Sequence, residues 1–119
     1  MDRATIEQMP AGRELDTLVA EKVLRWKRQE RGRSSSLPWP HWISDGTTYL
    51  ELPRFSEDVG DAWEIVRELI KRGLHVSLDS DGSGWTADFT PNPLVTFFTC
   101  ADTAPLAICR AALRVVENE

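Results

Sequence analysis

Cations and aromatic rings crowd one stretch of this sequence. Arg25, Lys27, Arg28, Arg31 and Arg33 are interrupted by a single acid, Glu30. Trp39, His41 and Trp42 follow, and Arg54 lies a little further on. Guanidinium forks pair with phosphate oxygens, and indole faces stack on bases or cations. Together they suit a phosphate carrying a stacked base, or an acidic, aromatic protein surface. The plainer reading is a helix C-terminus whose cations answer the helix dipole and stay solvated. His75 adds an imidazole on the polar side of an alternating segment, beside Asp79. The candidate ligand-binding set is therefore Arg28, Arg31, Arg33, Trp39, His41, Trp42, Arg54 and His75.

Other chemistry finds less support. Asp79-Ser80-Asp81-Gly82-Ser83-Gly84 carries oxygens at positions 1, 3 and 5 and glycine at 6 of a calcium loop. Its closing acid would fall at Thr90, and apolar alternation resumes at Trp85, so a hairpin turn is expected. Cys100 and Cys109 have no partner at metal spacing, and Cys109 falls on an apolar helical stripe. No nucleophile signature, phosphate loop or dinucleotide fingerprint is present. The reading is a protein without catalytic residues, metal or cofactor.

Stepping out to the elements, 119 residues suit one domain, 1–119, burying roughly 65% of its unfolded surface. The net charge of −5 is uneven, with eight Lys/Arg against six Asp/Glu up to residue 33 and six against thirteen beyond it. That field disfavours extended nucleic acid and anionic membranes. No apolar run approaches the ~20 residues of a membrane span, and no signal peptide opens the chain, so a cytoplasmic location is expected.

Thr5 and Gln8 have capping-box spacing for a short first helix. From Gly12 an apolar stripe through Leu15, Leu18, Val19, Val23 or Leu24, and Trp26 predicts a longer one, with Arg25, Lys27 and Arg28 at its end. An irregular loop spans 30–41. Trp42-Ile43 and Tyr49-Leu50 read as hairpin arms about Asp45-Gly46, with Thr47 to Leu52 as a strand. Ser56 is the expected cap of a central helix whose buried stripe is Val59, Ala62, Trp63, Val66, Leu69 and Ile70, stopped by Gly73. Leu74 to Leu78 and Trp85 to Phe89 alternate as a hairpin, and Pro91-Asn92-Pro93 breaks the pattern. Leu94 to Thr99 reads as a strand apolar on both faces, hence central or covered. A last helix is capped by Asp102 or Thr103. The fold class is α+β: a small, mainly antiparallel sheet packed with amphipathic helices. A sheet edge left open allows homo-oligomerisation.

Three blocks, Gly12 to Val23, Phe55 to Val66 and Ala104 to Leu113, resemble in order and spacing the phage α-β-α sandwich domain family. The resemblance covers about residues 5 to 117. It implies a phage or prophage source and an α-β-α sandwich, and it carries no catalytic residues. Joined to the Arg/Trp segment, it yields the expectation of a phage accessory protein that acts by binding, sequestering a small nucleotide signal of bacterial anti-phage defence. The alternative expectation is a protein-interaction module that modulates a bacterial or phage protein through its Trp residues.

Overall fold

The computed structural model describes residues 2–29, 41–44, 46–92 and 95–117. Helix α1 spans Arg3–Gln8. Its cap is Asp2, whose carboxylate accepts from Thr5 N–H at 2.8 Å, and not Thr5 itself. Helix α2, Arg13–Leu18, runs into a π turn at Val19–Val23. The helical stripe ends there, earlier than the sequence pattern suggests. Lys27 and Arg28 are therefore not helix-end cations; they lie on strand β1, Lys27–Gln29.

Strand β1 pairs antiparallel with β2, His41–Ser44, and β2 pairs with β3, Thr47–Tyr49. The expected hairpin is present, with Ser44 opposite Thr47 and Gly46 at φ +79°. Asp45 and most of the 30–41 loop fall outside the described residues.

Helix α3 spans Val59–Lys71. Its cap is Asp58, accepting from Asp61 N–H at 3.0 Å, rather than Ser56. Its buried face is Ala62, Ile65, Val66 and Leu69. Val59, Trp63 and Ile70 stand about half exposed instead of buried. Gly73, at φ +91°, ends the helix as the spacing predicts.

A second antiparallel sheet follows in the order β4-β5-β6, comprising His75–Ser80, Trp85–Asn92 and Val95–Ala101. The β4–β5 turn holds Asp81, whose Oδ1 accepts from Ser83 N–H and Oγ–H at 2.9 and 2.7 Å. Gly84 lies so close to β6 that a Cβ there would stand 2.9 Å from the Ala101 carbonyl. Pro91 does not end β5; the register shifts between Phe89 and Asn92 instead. Among the described residues, strand β6 is an edge strand, not a central one, and Phe98 is half exposed on it.

Helix α4, Ala104–Glu117, packs across β5 and β6, with α3 beside it. Helix α1 and the π turn also rest on α4. Ala87, Phe89, Ile108, Cys109, Leu113 and Val115 are all buried members of one core that these elements share. The opposite face of this sheet is open at His75, Ser77, Asp79, Phe98 and Cys100. The architecture is the α+β class expected, with two small sheets of three strands where one was predicted. No described helix is long and apolar enough to cross a membrane.

Candidate functional site

Two adjoining clefts form where the π turn, the first sheet and the C-terminal half of α3 meet. The wide turn brings Leu24 N–H onto the Val19 carbonyl at 3.1 Å. Arg25 then takes φ +60°, and Trp26 N–H closes the turn on the Ala20 carbonyl at 2.8 Å. Glycine usually supplies that left-handed residue, so an arginine here carries a conformational cost. π turns and strained residues are frequent at functional sites.

The first cleft, of about 480 Å³, is lined by Leu24, Arg25, Lys27, Ile43, Ser44, Gly46, Glu68 and Arg72. Three cations face one carboxylate. Arg72 Nε donates to Glu68 at 3.3 Å, and its Nη2 donates to the Val23 carbonyl at 2.6 Å. Its Nη1 is buried with no hydrogen-bond partner among the described residues. A buried guanidinium donor left unmade costs about 1–3 kcal/mol, more when charged.

The second cleft, of about 500 Å³, shares Leu24 and Glu68 with the first. Trp26 stacks on Tyr49 at 4.2 Å between centroids, and Phe55 meets Trp26 edge-on at 5.8 Å. Asp61, Glu64 and Glu68 form the polar wall. Asp61 Oδ2 accepts from Arg54 N–H at 2.9 Å, and Glu64 pairs with Arg67 at 3.4 Å. The pair of clefts thus has a cationic end and an aromatic end rimmed by hydrogen-bond acceptors.

Of the candidate residues named from the sequence, the described ones are not gathered here. Trp42 is no stacking platform: β2 turns it inward, 7% exposed, and its indole N–H has no described acceptor. Arg28 lies opposite Trp42 in the sheet with its side chain exposed, and Arg54 is exposed beside α3; neither lines either cleft. His75 stands on the open face of the other sheet. Arg31, Arg33 and Trp39, and the side chain of His41, lie outside the described residues. The cleft residues that sequence reasoning passed over are Arg25, Lys27, Trp26, Tyr49 and Arg72. Arg25 and Lys27 belong to the basic run, but Trp26 reads as helix core until the π turn ends the helix before it.

A third cleft, of about 370 Å³, lies by the β4–β5 turn and contains Cys100 and Arg110. Cys100 Sγ sits 3.5 Å from Thr86 Oγ1. Arg110 donates to the Met9 carbonyl at 2.7 and 3.0 Å and to the Cys100 carbonyl at 3.1 Å, and burial lowers its pKa. Cys100 aligns with Thr86 and Asp79 across the sheet, four residues along β4 from His75. Strand rise and spacing put roughly 16 Å between Cys100 and His75, too far for a catalytic pair. No described cluster of His, Cys, Asp or Glu could hold a metal ion.

The profile of the phage ABA sandwich domain matches residues 17–113. The chain belongs to that family, as its early resemblance implied. Among solved structures, a phage protein from Bacillus cereus ATCC 14579 is similar, at 25% identity and a TM-score of 0.66, over 92% of this chain and 97% of that one. No curated protein matches the chain.

Proposed function

We propose that this phage-family protein acts without catalysis, by holding a small nucleotide-like anion across the two adjoining clefts. The observation that carries the reading is the cation set Arg25, Lys27 and Arg72 lining one cleft, with Arg72 Nη1 buried and lacking a hydrogen-bond partner among the described residues. A phosphate in that cleft faces all three cations. The base then lies toward Trp26 and Tyr49, while Asp61 and Glu64 accept from exocyclic amines or ribose hydroxyls. Sequestration needs no reacting group, only affinity, and a nucleotide messenger of bacterial anti-phage defence is the ligand class named.

Thermal unfolding against a panel of cyclic nucleotides and ADP-ribose derivatives tests it. A ligand at a hundred times its Kd adds about 2.7 kcal/mol to stability, a shift of several degrees. Lys27→Glu should abolish that shift while leaving the melting of the free protein unchanged. A panel with no shift at millimolar ligand defeats the reading.

The alternative of a protein-interaction module draws on a different surface, the half-exposed Val59, Trp63 and Ile70 of α3. It moves from Trp39 and Trp42 to Trp63. Capture of a bacterial or phage protein that is lost on Trp63→Asp would favour it.

A further inference from the structure

Helix α3 and strand β4 together leave an apolar groove uncovered. Val59, Trp63 and Ile70 are 54%, 49% and 53% exposed and follow helical spacing along one stripe. Trp63, Val66 and Ile70 face Val76 and Leu78 across a groove of about 370 Å³. Beside it, β4 is the outer strand of its sheet, paired only with β5 among the described residues. Protected edges carry lysine, proline or a bulge. This one has no lysine, proline or bulge, and Asp79 is its one acidic residue: His75-Val76-Ser77-Leu78-Asp79-Ser80 pairs with β5 in six unbroken steps.

We propose that this edge is a homodimer interface. A second copy lays its own β4 antiparallel to the first about a two-fold axis through Ser77, giving a continuous six-stranded sheet with the two α3 stripes meeting on its helical side. The proposal is independent of the ligand reading.

The occupant follows from the strand's own pattern. A two-fold axis normal to a sheet keeps each side chain on its face, so a symmetric pairing must centre on a residue. Centred on Ser77, it sets Val76 against Leu78 of the partner subunit on the helical side. On the open side it sets His75 against Asp79 of the partner subunit. Both matches occur twice. Centring on Leu78 would oppose Val76 to Ser80 and Ser77 to Asp79. Centring on Val76 would run the pairing back past the strand's start into Leu74 and Gly73. Only the Ser77 register matches apolar with apolar and imidazole with carboxylate.

Sedimentation of the full chain at tens of micromolar should give twice the 13.5 kDa protomer. In a Cys100→Ser background, Ser77→Cys should form an intermolecular disulfide almost completely under mild oxidation, because residues on the axis lie roughly 5 Å apart. Asp79→Cys in the same background should not, since its symmetry mate lies roughly 13 Å away. His75→Asp should weaken the dimer on the order of tenfold by opposing two carboxylates. Trp63→Glu, at an exposed position, should yield a folded monomer. A monomer for the unaltered chain overturns the proposal, as does cross-linking of Asp79→Cys equal to that of Ser77→Cys.

Discussion

Ser56 donates its hydroxyl proton to Asp16 at 2.6 Å, across forty residues of sequence, with both side chains wholly buried. The same carboxylate oxygen accepts Ser56 N–H at 2.8 Å, and Ser56 Oγ accepts Gly12 N–H at 2.9 Å. Arg13, half exposed, reaches the other carboxylate oxygen at 3.2 Å. This knot fastens the start of α2 to the segment leading into α3. It thereby sets the π turn and α3 in the relation that forms the clefts.

Cutting the knot should unsettle the whole fold. Asp16→Ala strands the buried Ser56 N–H, leaves its hydroxyl only the Gly12 carbonyl at 3.3 Å, and should cost about 2–4 kcal/mol. Ser56→Ala removes one donor, the hydroxyl, from a buried carboxylate and takes the acceptor from Gly12 N–H, and should cost about 1–3 kcal/mol. The double variant should cost less than the sum, because each single change already spoils the shared bonds. Denaturant unfolding of the four proteins measures the coupling, and strict additivity would show that the two residues act separately.

Much of this architecture could be read from the chain because periodicity and punctuation agreed. Gly73 stops α3, Gly46 turns the first hairpin, and the alternating segments Leu74 to Leu78 and Trp85 to Phe89 correspond to β4 and β5. Ser56 misled because a serine before acids has the form of a helix cap. Nothing local reveals that its partner is Asp16, forty residues away. Trp63 misled for a related reason. Its stripe is amphipathic, but the packing of α3 on α4 turns the buried side toward Ile65 and leaves Trp63 at the rim. The clefts were hidden by the π turn, which ends the helix one turn early and sends Trp26 to Tyr49. No propensity of Val19 to Val23 announces such a turn.

Arg25 offers a test of whether that turn serves a ligand. At φ +60° an arginine costs about 1 kcal/mol relative to glycine. Arg25→Gly should therefore raise the melting temperature by a few degrees. The same change should weaken anion binding on the order of tenfold by removing one charge-assisted contact. A variant that gains stability and keeps full affinity would place Arg25 outside the site.

The two thiols should separate by reactivity and by pH. Cys100 is exposed and Cys109 is buried. A thiol reagent should therefore modify one cysteine in the native protein and two after unfolding. Burial, reinforced by the nearby Asp16 charge, pushes the Cys109 thiol well above its ordinary 9.0. The unfolded chain releases that proton at ordinary alkaline pH while the native protein keeps it. Stability from this group is thus complete below the ordinary value and is lost as pH rises above it, by at most about 1.4 kcal/mol per pH unit. Cys109→Ala should flatten that alkaline slope in a series of urea unfolding curves, although it lowers stability at neutral pH by opening a small cavity. A slope unchanged by the substitution would assign the alkaline loss to other groups.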